Sequence, residues 1–262
     1  MRTVDLTKRF GDIIAVNEAS IEVGASEIYG LLGPNGAGKS TMIKILTTLL
    51  PLTAGQAWVA GCDVTQDPSR VRRRIGYVPQ ALSADGALTG YENLLVSARL
   101  YGLRAEDRSQ RIAEALELVG LTDASQQLVR QYSGGMIRRL EIAQAMLHRP
   151  AVLFMDEPTV GLDPVARRAV WEHVLRLRDT FRTTMMITTH YMEEADGLCD
   201  RVAVMHLGRV AVIGTPHELK TQVGAGASMD DVFMHFTGAS INESGGNYGE
   251  VLRTRRTARR LS

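Results

Sequence analysis

The sequence predicts an α/β fold: a largely parallel sheet with helices on its faces, and a helical block inserted between two halves of the sheet. Three observations carry this. An apolar run at 28–32 ends in a glycine-rich turn and is followed by a helix-like stretch at 41–50. From 151 onward, strand-like runs at 151–155, 185–188 and 201–205 alternate with a helical pattern at 165–178. Between 91 and 146 the apolar spacing changes to three and four, through Leu94, Leu95, Ala98 and Leu100, then Ile112, Ala115, Leu116 and Val119.

The first 30 residues read as short strands at 4–6, 13–16, 21–23 and 28–32, punctuated by Gly11-Asp12 and Gly24. Further strand-like runs fall at 57–60 and 75–78. The expected organisation is one domain over 1–240, with a helical subdomain at about 82–148, and then a basic tail at 241–262. In that tail Ser244-Gly245-Gly246-Asn247 reads as a linker, and Arg253, Arg255, Arg256, Arg259 and Arg260 as a solvated or partner-binding basic run.

Composition narrows the function classes. The chain has 262 residues and 45% hydrophobic content, enough for a large core. A net charge of +1 gives no global electrostatic case for nucleic acid or an anionic membrane. Cys62 and Cys199 lack metal or redox spacing and read as buried thiols. The first ten residues lack the apolar region of a signal peptide. No apolar run approaches the roughly 18 residues needed to span a bilayer. The chain by itself is therefore not expected to form a membrane pore.

Chemistry concentrates after the strand at 28–32. Gly33-Pro34-Asn35-Gly36-Ala37-Gly38-Lys39-Ser40-Thr41 matches GxxxxGK[ST] in the strand–loop–helix context that a phosphate-binding loop requires. Glycines let successive backbone N–H groups turn inward as an anion nest, Lys39 supplies a cation for the β- and γ-phosphates, and Ser40 a hydroxyl for Mg²⁺. The buried run Val152-Leu153-Phe154-Met155 ends in Asp156, suited to hold Mg²⁺. Glu157 follows, either as a carboxylate that polarises attacking water or as a cap for the turn at Pro158.

The segment Tyr132-Ser133-Gly134-Gly135-Met136, placed between these two motifs, resembles the signature of the ATP-binding-cassette family. The resemblance covers about residues 3–240. It implies a P-loop ABC cassette with a RecA-like core, an N-terminal antiparallel β part and a helical insertion, with ATP as substrate and Mg²⁺ as cofactor. On the matching positions, Phe10 stacks on adenine or else is a core residue. Gln80 is the glutamine that reaches Mg²⁺ and links the ATP site to the helical block. Ser133, Gly134 and Gly135 bind the nucleotide of a second cassette. Asp163, in Gly161-Leu162-Asp163-Pro164, communicates across that dimer. His190, after Thr188-Thr189, contacts the γ-phosphate. The signature departs from the common Leu-Ser-Gly-Gly-Gln at Tyr132 and Met136, which removes only the glutamine's own contacts.

The same resemblance implies a head-to-tail dimer of two copies with two ATPs between them, and a separate integral-membrane permease. The location it implies is the cytoplasmic face of the cell membrane, as a peripheral protein. Arg138-Arg139-Leu140-Glu141 after the signature and the ending Met229 to Gly238 resemble exporter ATPases of the daunorubicin/doxorubicin-resistance type. Residues 80–101 would then receive the permease. The alternative is a soluble ATPase acting on nucleic acid or a protein complex, supported only by the basic tail; no nucleic-acid partner is expected.

Overall fold

A computed structural model describes residues 1–238; the linker and basic tail discussed above lie outside them. In chain order the elements are β1 (Arg2–Phe10), β2 (Ile13–Glu22), β3 (Ile28–Leu32), α1 (Lys39–Leu46), β4 (Ala54–Val59), β5 (Cys62–Asp63), α2 (Pro68–Arg72), β6 (Ile75–Val78), α3 (Gly90–Leu100) and α4 (Ala105–Leu118). A 3-10 turn at Val129–Gln131 leads to α5 (Gly134–Met146), β7 (Val152–Asp156), α6 (Pro164–Phe181), β8 (Thr184–Thr189), α7 (Met192–Leu198), β9 (Arg201–His206), β10 (Arg209–Gly214), α8 (Pro216–Val223) and α9 (Met229–Thr237). The result is a mixed α/β fold with antiparallel and parallel pairings. The chain divides into two compact units.

The first unit comprises Met1, Val23–Ile28 and Trp58–Ile187. Its β6 and β7 pair in parallel, from Ile75↔Val152 to Val78↔Met155. Everything from 79 to 151 is therefore inserted between two neighbouring strands. That block has a core of its own, in which Leu94, Ala98, Ile112, Leu116, Leu140 and Leu147 are buried. Burying each leucine or isoleucine contributes roughly 1.5–3 kcal/mol, which is how short helices hold together away from a sheet. Polar side chains start them. Thr89 and Glu92 form a reciprocal capping box on α3, Ser133 caps α5, and Asp163 caps α6 with Pro164 in its first turn.

The second unit comprises Arg2–Glu22, Tyr29–Ala57 and the chain from Thr188 on. β1 and β2 form a long antiparallel pair with three register shifts. The sequence reading expected two strands, at 13–16 and 21–23. The structure has one, because Glu18 at φ 52° absorbs the irregularity without ending the pairing. β3 pairs in parallel with β9, from Tyr29↔Arg201 to Leu32↔Val204, and β9 pairs antiparallel with β10. Gly30 lies against the buried Cys199, whose thiol is pushed up by burial. α1 ends at Leu46, four residues before the expected stop. The C-terminal segment 229–238 is α9, capped by Ser228 and closed by Gly238 at φ 68°. Its Met229, Val232 and Phe233 are buried.

Two outcomes follow from this packing. α5 crosses β6 so closely that a Cβ at Gly76 would run into the Ala145 carbonyl. Gly76→Ala is expected to destabilise the protein by about 1–3 kcal/mol, read as a lower Tm.

The second concerns two histidines. His148 donates from Nε2 to the Ile75 carbonyl at 2.9 Å and stacks on Tyr101 at 3.9 Å. His173 donates from Nδ1 to the Leu118 carbonyl at 2.9 Å, leaving Nε2 to accept from Arg139. Burial pushes both below the usual 6.5, and Arg139 adds to this at His173. The unfolded chain therefore takes up protons first as pH falls. The stability these rings contribute is fully present above pH 6.5 and is lost as pH falls below it. Tm is expected to drop between pH 7.5 and 5.5, and the pair His148→Gln and His173→Gln to flatten that dependence in thermal melts.

Candidate active site

Five strand ends, of β1, β3, β6, β7 and β8, and the starts of α1, α5 and α6 carry the predicted residues. In the second unit, β3 stops at Leu32 and the loop 33–38 follows. Its shape depends on glycine: Gly36 and Gly38 sit at φ 82° and 104°, and a Cβ at Gly38 would strike the Ala15 carbonyl on β2. A Cβ at Gly33 would likewise strike the Met205 carbonyl on β9. The loop is fastened by Ala37 N–H to the Pro34 carbonyl at 3.2 Å and by Gly208 N–H to the Ala37 carbonyl at 3.1 Å.

Lys39 opens α1 and is 4% exposed. Its ammonium donates to the Gly33 and Pro34 carbonyls at 2.8 and 3.2 Å, so the charge is held over the loop. Asn35 and Gly36 are exposed, while Ser40 and Thr41 are half-buried in the first turn of the helix. A buried cation, a glycine-shaped backbone cradle and a helix N-terminus together fit a phosphate group.

Also in the second unit, His190 directly follows β8. The Gly33 N–H donates to the carbonyl of Thr189 at 3.2 Å, so the phosphate loop and the residue before His190 share one attachment. The His190 ring lies 4.2 Å from that of Tyr191. Phe10, at the end of β1, is 46% exposed. It is thus not a core residue, and the Lys8 ammonium lies 4.9 Å from its ring centroid, a cation–π contact the sequence did not suggest.

In the first unit, β7 ends at Asp156, which is buried, and Glu157 comes next. Glu157 takes φ 47°, a left-handed conformation costly for a side chain of this size. Its Oε2 accepts from Gln80 Nε2 at 3.3 Å, so the structure brings these two predicted residues together. Tyr77, on the neighbouring strand, is pushed up to about 12 by burial, with the Asp156 carboxylate adding to it.

The signature segment forms the start of α5. Ser133 Oγ accepts from the Met136 N–H at 3.3 Å, which leaves the hydroxyl proton to donate. Ser133 and Gly134 are exposed. Gly135 is buried, and a Cβ there would press on Ala166 of α6 at 3.0 Å. Met136, where glutamine is common, packs on the apolar core of the helical block. Tyr132 donates its phenol proton to the Ala124 carbonyl at 2.7 Å, and a Cβ at Gly90 would run into its oxygen. Asp163 accepts from the Val165 and Ala166 N–H groups, both at 2.9 Å, so in this chain its carboxylate caps α6.

Sequence reasoning used Arg138 and Glu141 only as family markers. Both are buried within α5, and Arg138 donates to the Pro79 and Gln80 carbonyls, each at 2.7 Å. Nothing in a one-dimensional pattern separates such a pair from an exposed one.

Known proteins point the same way. The family model for the ABC transporter matches residues 16–160. The daunorubicin/doxorubicin resistance ATP-binding protein DrrA of Streptomyces peucetius is 47% identical over 86% of this chain and 68% of its own length. The linearmycin resistance ATP-binding protein LnrL of Bacillus subtilis (strain 168) is 38% identical over 93% of this chain and 76% of its own. Among solved structures, an ATP-binding subunit of an ABC transporter matches with TM-score 0.79 and 29% identity, covering 90% of this chain and 98% of that one. A dimeric, post-hydrolysis ATP-binding cassette bound to ADP and Pi matches with TM-score 0.73 and 25% identity, covering 82% and 97%. With a phosphate-fitting loop, two buried carboxylates at a strand end and these likenesses, the chain belongs to the ABC transporter family, among its ATPases.

Proposed function

We propose that this chain is the ATP-hydrolysing subunit of an exporter of drug-like small molecules, working as a dimer on a separate membrane permease. The carrying observation is the 47% identity to a drug-resistance ATP-binding protein over 86% of the chain. No helix among the described residues is long and apolar enough to cross a membrane. The permease is a second polypeptide on this reading, and it brings the chain to the cytoplasmic face of the membrane. The exposed apolar side chains Leu82, Val96, Leu100 and Tyr101 supply the face it meets.

The roles follow the family resemblance, and the chemistry of each side chain suits its role. Lys39 and the N–H groups of residues 33–38 neutralise phosphate oxygens, and Phe10 stacks on adenine with Lys8 on its ring. Asp156, Ser40 and Gln80 would each offer an oxygen to Mg²⁺, which would supply charge neutralisation at the phosphates; carboxylate, hydroxyl and phosphate oxygens are the donors this ion prefers. Glu157 accepts the proton of the attacking water while Gln80 orients its carboxylate. His190 donates to the γ-phosphate. Ser133, Gly134 and Gly135 present a helix N-terminus to the nucleotide of the second copy, and Asp163 fixes the start of α6 beside that contact surface. One chain thus carries two complementary half-sites, and pairing completes both.

Two substitutions test this. Lys39→Ala is expected to weaken ATP binding by about 10- to 100-fold, the equivalent of a charge-assisted contact of roughly 1.5–3 kcal/mol, in a fluorescent-nucleotide titration. Glu157→Gln is expected to bind MgATP without turning it over and to run as a dimer in light scattering. A variant that stays monomeric at saturating MgATP would overturn the sandwich arrangement.

A further inference from the structure

Residues 79–84 form no helix or strand, yet they position Gln80 against Glu157. What fixes them is a buried ion pair on α5. Arg138 and Glu141 stand one turn apart, their side chains 3% and 2% exposed, with Nη1 and Oε2 separated by 2.9 Å. Arg138 grips the start of the segment, Nη1 donating to the Pro79 carbonyl and Nη2 to that of Gln80. Glu141 Oε1 grips its end, accepting from the Ser83 N–H, from Ser83 Oγ at 3.1 Å and from the Ala84 N–H at 3.3 Å. One helix therefore holds carbonyls at one end of the loop and amides at the other.

Such a pair is a poor way to obtain stability alone, because apolar residues of the same volume would fill the space without desolvating two charges. Its geometric product is specific. The helix that begins at Ser133 and the loop that carries Gln80 are fastened into one piece, and Gln80 in turn donates to Glu157.

We propose that Arg138 and Glu141 are positioning residues for hydrolysis: they tie the N-terminus of α5 to the Gln80–Glu157 contact, so that engagement of a second copy's nucleotide by Ser133 and Gly134 sets the placement of the Glu157 carboxylate. The two ATP sites of a dimer are thereby linked through the interior of each chain. This rests on the ATPase reading above.

The test uses the full chain carrying Arg138→Met with Glu141→Leu, which removes both charges and keeps the volume. Circular dichroism and thermal melts establish that it is folded. The KM for ATP is expected to stay within about twofold, since the Lys39 loop is untouched, while kcat falls at least tenfold. Glu141→Gln keeps an oxygen for the Ser83 and Ala84 amides and loses only the charge, so its kcat is expected to lie between wild type and the double variant. In the Glu157→Gln background the double variant is expected still to dimerise with MgATP, because Ser133 and Gly134 remain. A folded double variant with wild-type kcat, or one whose KM rises as kcat falls, overturns the linkage. A wild-type chain that neither dimerises nor hydrolyses ATP overturns instead the reading beneath it.

Discussion

A strand must keep its hydrogen-bond ladder to its last residue, and the first residue past it is released to take another conformation. Several residues of the proposed site sit just past such a release. β3, β6, β7 and β8 each end within two residues of a proposed site residue: Gly33, Gln80, Glu157 and His190. The carboxyl ends of strands in open α/β sheets are where ligands bind in general, which is what makes residues just past a strand candidates within each unit. The abruptness shows in the backbone: Glu157 takes a left-handed conformation one residue after Asp156 leaves the ladder.

The second theme is charge held indoors. Lys39, Arg138, Glu141, Asp156 and Glu157 are all buried, an arrangement water would discourage unless each group were satisfied. Lys39 and Arg138 find partners in loop carbonyls, and Glu141 in loop amides. Side chains thus set the shape of irregular backbone, the reverse of the usual order in which backbone presents side chains. Irregular loops shaped this way act as parts with fixed geometry.

Where turn chemistry is strong, the sequence can be read. β6 and β3 run over the expected residues, since glycine or proline soon follows each. The P-loop was legible because its glycines serve one purpose, and Gly38 does sit where only glycine fits. Elsewhere tertiary structure overrode local pattern. β2 continued through Glu18, α1 stopped short of Pro51, and the short α2 and β5 gave no periodicity to detect. Phe10 was ambiguous because exposure is decided by neighbours far along the chain. Arg138 and Glu141 were present in the text of the signature helix, but their burial depends on a loop more than fifty residues earlier.

The tyrosine in the signature shows how such dependence constrains descent. Its phenol reaches Ala124 through the space left by a missing side chain at Gly90, so a side chain at 90 and a tyrosine so placed at 132, 42 positions on, exclude one another. A lineage that kept Tyr132 while Gly90 became alanine would carry a clash at the start of α3, and one that acquired the tyrosine first would have had nowhere to seat it. Among ATPases of this kind, the first letter of the signature should therefore be read together with the residue that opens the helix after Thr89.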